Sequence, residues 1–438
     1  MNYKPVIGLE VHVELKTNSK MFCACSADYF GQKPNTHTCP VCLGLPGALP
    51  VPNKKAIEWC VQIGLALDCN IPLFSKFDRK NYFYPDLAKG YQISQYDQPF
   101  CVNGEIYLSK GKKIRIRRVH MEEDTGKLIH ETVDGKKVSL IDFNRSGVPL
   151  VEIVTEPDFE TAEEVKEYLQ KLQQIVRYLG VSNADMEKGN MRLEPNISLK
   201  KEDEKELPKY KVEVKNINSF AFVGKAINYE IKRQTEILEK GNTPVQETRG
   251  FIEKNSSTVT QRIKEEASDY RYFPEPDIPP IRWSQSQISN FKSQMPELPN
   301  KKFARFVDEY HLSNYDAEIL TRDLSTSEYF EESIKSAAGK TTPKQIANIL
   351  INKKINIEEM LPAKLVEEIL KTERKTEIDE KELEKTIEMV LNENQKAVKD
   401  YKNGKETVIM FLVGQVMRQF KEKLDAEKIK AVLTEKLK

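Results

Sequence analysis

The chain has 438 residues, 39% hydrophobic and 31% charged, with a formal net charge of +1. That balance suits several domains with a real apolar core and excludes bulk charge attraction to nucleic acid, leaving any such contact to local patches. No run approaches the ~18 apolar residues of a membrane span, and "MNYKPVIGLEVHVEL" enters an alternating strand rather than a signal-peptide core, so the expected compartment is the cytoplasm, with no membrane partner.

The first element is a strand. Ile7, Leu9, Val11, Val13 and Leu15 alternate with Gly8, Glu10, His12 and Glu14. Period two predicts one apolar and one polar face. Four of the seven cysteines follow, as Cys23-x-Cys25 and Cys39-x-x-Cys42. Two such knuckles supply four thiolates, enough to close a tetrahedral structural zinc site. The plainer alternative is four reduced, half-buried cysteines. A helix is predicted over Lys54 to Leu67. Between Phe74 and Phe100 aromatics interleave with Lys76, Arg79, Lys80 and Lys89. That mixture stacks bases in some proteins and merely packs a long loop in others.

A strand over Ile114 to Met121 changes phase. Its apolar positions are Ile114 and Ile116, then Val119 and Met121. The slip at Arg117–Arg118 predicts a bulge. Directly after it come Glu122, Glu123 and Asp124. A bulge would let neighbouring acids aim at one point, with Asp124 capping the following turn. "SLIDFNRSGVPLVEIVTEPD" predicts two strands around a turn at Ser146–Gly147. Thr161 to Gly180 reads as a helix with Thr161 as N-cap and Gly180 as its stop. Pro274, Pro276, Pro279 and Pro280 forbid a helix and predict a rigid extended segment closing the first domain. Helical patterns fill the remainder, with apolar stripes at Leu383, Ile387, Val390 and Leu391 and at Ile429, Val432, Leu433 and Leu437. A modest excess of Lys/Arg over Asp/Glu lies beyond Lys396.

The acids set the chemistry. Glu10 and His12 share a strand face, and Glu152 shares one with Leu150 and Val154. A carboxylate in such a strand is costly to bury without compensation, which a divalent cation provides. Oxygen ligands with one histidine favour Mg²⁺ or Mn²⁺ over zinc. For any single acid a solvated strand face is the plainer reading. The argument rests on several strands ending in acids. No Walker loop or dinucleotide fingerprint is present.

"IGLEVHVELKTNSKMFCAC", "CPVCLGLPGALPVPNKKAIE", "FDRKNYFYPDLAKGYQISQYDQP", "HMEEDTGKL", "DFNRSGVPLVEIVTEPD", "EVKNINSF" and "DYRYFPEPDIPPI" occur in order and resemble the B subunits of bacterial aspartyl/glutamyl-tRNA amidotransferases. The likeness resumes at "AVKDYKNGKETVIMFLVGQVM". It implies an α+β fold, with a β-rich cradle-like catalytic domain around an antiparallel sheet (1–282), a helical domain (283–375) and a small all-α tail that reads tRNA (376–438). It also implies an activity. With ATP and Mg²⁺, a protein of this kind phosphorylates the side-chain carboxylate of misacylated Glu-tRNA(Gln) or Asp-tRNA(Asn). Ammonia from a glutaminase A subunit then displaces the phosphate, and a small C subunit completes the heterotrimer.

Carried over by position, the resemblance implies a magnesium site of Glu10, His12, Glu122, Glu123 and Glu152. It implies zinc on Cys23, Cys25, Cys39 and Cys42. Glu123 is the candidate proton acceptor, Lys80 a tunnel-lining residue, and Asn144, Arg145 and Ser146 the candidate nucleotide contacts. Leu193 to Pro195 depart from the family pattern, and the helical region matches only at its start, "PELPNKKFARFVDEYHLSNYDAEIL". A zinc-stapled RNA-binding protein without catalysis is the alternative. It gives no reason to gather Glu10, Glu122, Glu123 and Glu152.

Overall fold

The computed structural model describes residues 3–263, 270–353, 355–373, 380–420 and 426–437. Two compact units divide it, Met1–Lys302 and Phe303–Lys438. The first is built on one eight-stranded sheet. Its strands are β1 (Tyr3–Glu14), β2 (Cys101–Tyr107), β3 (Lys113–Glu123), β4 (Pro149–Thr155), β5 (Met191–Lys201), β6 (Val212–Lys215), β7 (Glu247–Ile252) and β8 (Ser257–Ile263). Their order is β8-β7-β6-β5-β1-β4-β3-β2. All neighbours are antiparallel except β6 and β7.

Alternation decides the two faces. Ile7, Leu9, Val11 and Val13 of β1 are buried in the main core, together with Val151 and Ile153 of β4. Helices α1 (Lys54–Ala66), α2 (Ala162–Tyr178) and α3 (Phe220–Glu239) contribute to the same core. Each begins on a side-chain cap. Asn53 accepts from Ala56 N–H, Thr161 from Glu164 N–H and Ser219 from Phe222 N–H. The expected stop at Gly180 adopts φ +67°, the left-handed geometry that favours glycine.

The bulge is present, between Ile116 and Arg118 of β3. Its consequence differs from the expected one. Arg117 is the extra residue, so Val119 stays opposite Ile153 and Met121 opposite Val151. Ile114, Ile116, Val119 and Met121 therefore share the apolar core. His120 and Glu122 turn to the polar face, and Glu123 turns back to the core side. Adjacent acids are separated, not converged.

The two strands around Ser146–Gly147 do not form a hairpin. Lys136–Asp142 pairs with Lys127–Val133 in a sheet of its own, whereas β4 joins the main sheet. The proline segment is paired as strand at both ends, with a turn over residues 276–278 rather than a continuous extended run between them. Phe273 and Pro274 pair with Arg79 and Asp78, and Ile281 and Arg282 with Ser75 and Phe74. The next helix, Gln285–Ser293, still belongs to the first unit, and its Phe291 lies in the main core. The second unit is helical among its described residues. It holds one apolar cluster between Phe306 and Ile369 and another between Leu383 and Leu437, which includes both stripes read from the tail. The expected boundary at 375/376 lies outside the described residues.

Packing is close where α1 crosses β2. A Cβ on Gly64 would sit 2.3 Å from Cys101 Sγ. Gly64→Ala is therefore expected to cost about 1–3 kcal/mol of stability by overpacking. Chemical denaturation reads this directly, and because Cys101 Cβ would still lie 2.7 Å from the added carbon, Cys101→Ala in the same chain should restore only part of the loss.

Candidate active site and metal centres

The polar face of the sheet carries the charged residues. At its centre three side chains lie in register across three strands. His12 of β1 and His120 of β3 both stand opposite Glu152 of β4. His120 Nε2 is 3.1 Å from Glu152 Oε2, and His12 Nε2 is 3.6 Å from the same oxygen. Glu122, two residues beyond His120, lies 3.5 Å from its Nε2. Donor atoms of His12, Glu122 and Glu152 fall within 4.8 Å of one another, close enough for one cation.

A small sheet closes over this group. Its strands Asp78–Asn81 and Tyr91–Ser94 bring Lys80, Gln92 and Ser94 to Glu122. Lys80 Nζ lies 3.3 Å from Oε1, Ser94 Oγ donates at 2.6 Å and Gln92 Nε2 donates to Oε2 at 3.0 Å. Burial opposes the charge on Glu122, yet Lys80 and His120 hold its carboxyl down at about 2. Burial likewise works against Glu152, and the two histidines keep it well below the usual carboxylate range. Burial would lower the His12 pKa, but the bond to Glu152 and the surrounding acids raise it to about 9. Both acids are thus held in their ionised form, and His120 Nδ1 is buried without a partner. This donor set fits a divalent cation with mixed oxygen and nitrogen ligands.

A second acidic group lies beside it on the same face. Glu10, Glu194 and Glu213 approach one another from β1, β5 and β6. Lys215 Nζ reaches Glu194 at 2.9 Å and Glu213 at 3.3 Å. Glu10 therefore sits with this group, across from Glu194, rather than with His12's partners. Glu123 is in neither. Its Oε1 accepts from Ile93 N–H at 2.9 Å and pairs with Lys89. Asp124 closes its turn through Thr125 N–H at 2.9 Å and also pairs with Arg192.

The four cysteines converge, with Sγ atoms within 4.8 Å of one another. Bonding from the Cys23 thiol and from Cys39 N–H holds Cys42 at about 4, as a thiolate. Lys20 Nζ stands 3.6 Å from that sulfur. Thiolate character and tetrad spacing fit zinc. The turn expected to touch nucleotide braces this loop. Asn144 Oδ1 accepts from His37 N–H at 2.7 Å, and its Nδ2 donates to Lys33 O at 2.7 Å. Ser146 Oγ donates to Cys42 O, and Arg145 donates to the carbonyls of Thr125 and Gly126.

These sites fall within segments that match known proteins. The GatB/GatE catalytic domain family matches residues 5–289, and the GatB domain family matches residues 304–437. The B subunit of the aspartyl/glutamyl-tRNA(Asn/Gln) amidotransferase of Thermomicrobium roseum is 53% identical over 80% of this chain and 72% of its own length. That of Thermoanaerobacter pseudethanolicus is 46% identical over the whole of both chains, and that of Thermosipho melanesiensis 46% identical over 98% of each. This chain belongs to the family of amidotransferase B subunits. No helix among the described residues is long and apolar enough to cross a membrane.

Three residues of the polar face escaped the sequence reading. His120 alternates with Glu122, so period two placed it on the same face. Glu194 and Glu213 each alternate with apolar neighbours, in "RLEPN" and "KVEVK". The interleaved aromatics divide between roles. Phe77 and Phe100 are core, whereas Tyr96 stacks on Tyr272 at 4.4 Å.

A protonated His12 has no lone pair to offer a metal. Below about pH 9 the imidazole holds that proton, so binding must release it. Affinity for Mg²⁺ or Mn²⁺ is expected to tighten as pH rises towards about 9. Calorimetry in buffers of different ionisation enthalpy measures both the affinity and the released proton.

Proposed function

We propose that this chain is the tRNA-binding, carboxylate-activating subunit of an ATP-dependent amidotransferase. Its substrate is misacylated Glu-tRNA(Gln), Asp-tRNA(Asn) or both. The observation that carries the reading is the convergence of His12, Glu122 and Glu152 from adjacent strands of a catalytic domain already matched to that family. In this reading a glutaminase A subunit supplies ammonia, a small C subunit completes the complex, and the work is done in the cytoplasm. Residues 1–282 act as the cradle, 283–375 as the helical domain and 376–438 as the tRNA-binding tail.

Phosphoryl transfer to a carboxylate brings two anions together, so positioning and charge neutralisation dominate. His12, Glu122 and Glu152 would hold a divalent cation, which would supply that neutralisation. The surrounding side chains do the rest. Ser94 and Gln92 fix the Glu122 carboxylate, and His120 fixes that of Glu152. Lys80 adds a cation at the edge of the cluster. We assign Glu10 to the neighbouring acidic group as a further cation ligand. Glu123, buried against Lys89 on the other face, is the candidate acceptor for a proton leaving ammonium. Zinc on Cys23, Cys25, Cys39 and Cys42 staples the loop that Asn144 and Ser146 brace.

The test is reconstitution with A and C subunits, following ATP-dependent conversion of Glu-tRNA(Gln). Glu152→Gln should lower amidation on the order of 100-fold, with glutaminase activity of the complex retained. A wild-type complex without tRNA-dependent ATP hydrolysis would refute the enzyme reading. Metal analysis of the purified chain should find zinc at one per chain, lost in Cys39→Ser/Cys42→Ser together with thermal stability.

A further inference from the structure

Lys20 is 0% exposed, one of the largest fully buried side chains of the chain. A lysine is almost never sealed from water unless something pairs with it. Its ammonium has three N–H donors and finds three acceptors. It donates to His37 O at 2.7 Å, to Phe143 O at 3.4 Å and to Cys42 Sγ at 3.6 Å. No carboxylate is among them. Two of the acceptors are neutral carbonyls, so the compensating charge falls to the sulfur of the cysteine tetrad. We propose that Lys20 is the counter-ion of the metal centre on Cys23, Cys25, Cys39 and Cys42, a positioning residue that sets how tightly the centre holds its ion. The proposal rests on the zinc reading above.

Charge balance gives the reason. Four thiolates around one divalent cation leave an excess of negative charge. Water screens that excess at Cys23, Cys25 and Cys39, which are half-buried, but not at Cys42, which is buried. Lys20 reaches Cys42 and no other member of the tetrad. Its charge offsets part of the excess, and its N–H bond draws electron density from the sulfur. The backbone delivers it there. Lys20 N–H donates to Cys25 O at 2.9 Å, and Met21 N–H donates to Gly147 O at 2.7 Å. Lys20 thus holds the first knuckle by its main chain and the second by its side chain. Gly147 leaves room for this, since a Cβ there would lie 3.4 Å from Cys42 Cβ and 3.6 Å from Lys20 Cδ. A packing role alone would ask only for the apolar stem, and would leave the metal indifferent to the charge.

Zinc affinity of the full chain, measured by competition with a chromophoric chelator, tests this with Lys20→Met and Lys20→Arg. Methionine keeps the unbranched apolar stem and loses the charge and the donors, whereas arginine keeps both. Lys20→Met should weaken zinc binding by about ten- to hundredfold, and Lys20→Arg by less. Cobalt in place of zinc adds a spectroscopic reading. The sulfur-to-cobalt charge-transfer bands should move to longer wavelength in Lys20→Met, because a thiolate relieved of its N–H bond gives up electron density more easily. Unchanged affinity with unchanged bands in Lys20→Met overturns the proposal, as does an order in which methionine holds zinc better than arginine. If Lys20→Met does not fold, Lys20→Gln, neutral but still a donor, takes its place with the same expected direction and the same refuting result. A wild-type chain that binds neither zinc nor cobalt sinks the zinc reading itself, so the two failures are distinguishable.

Discussion

A carboxylate buried in the middle of a sheet costs on the order of several kcal/mol unless opposite charge reaches it. Glu152 is buried on β4, flanked by strands on both sides. Its compensation comes from the two residues directly across the ladder, His12 and His120. That one requirement fixes a good deal else. β1 and β3 must both neighbour β4, and both must present the correct phase at the same level. The small sheet must then close over Glu122, because an acid beside Glu152 needs its own cation, which Lys80 provides.

The bulge at Arg117 reconciles these demands with core packing. Were the same residues paired one for one from Ile116, with no bulge, His120 would stand opposite Val151 and point into the apolar core. Val119 and Met121 would face the polar side. A single inserted residue keeps four aliphatic side chains of β3 buried and still delivers His120 and Glu122 to the site. The exposed Arg117 is then free to pair with Glu156 at the end of β4. The local irregularity is what allows one strand to serve both faces.

Much of this was legible in the residues. Alternation in β1 separated its faces, the phase slip marked the bulge, and cysteine spacing marked the tetrad. The caps at Thr161 and Gly180 bounded their helix. What periodicity did not resolve was which acids meet. Glu122 and Glu123 look equivalent in a string, yet pleating sends them to opposite faces. Glu10 and His12 share a face, but lateral neighbours decide company, and Glu10 stands across from Glu194 while His12 stands across from Glu152. Strand order is a non-local property. The surroundings of the Asn144–Ser146 turn are non-local in the same way. The side chains of Asn144 and Ser146 are matched to backbone groups of the cysteine loop more than a hundred positions away in sequence.

In the proposed reading the same sheet separates two kinds of chemistry. On one face the acids cluster with imidazoles, Lys80 and Lys215, an arrangement that stabilises gathered negative charge and suits phosphate transfer to another anion. On the other, Glu123 meets Lys89 beside the apolar core and belongs to neither acidic group. Keeping these apart has a physical reason. A metal-ligating acid must stay ionised, whereas a proton acceptor must change its charge during turnover. One residue cannot meet both demands at the same pH. Consecutive positions on a strand place two carboxylates a short distance apart in chain yet in different electrostatic surroundings. The Glu122–Glu123 pair solves by pleating what two distant loops would otherwise have to arrange.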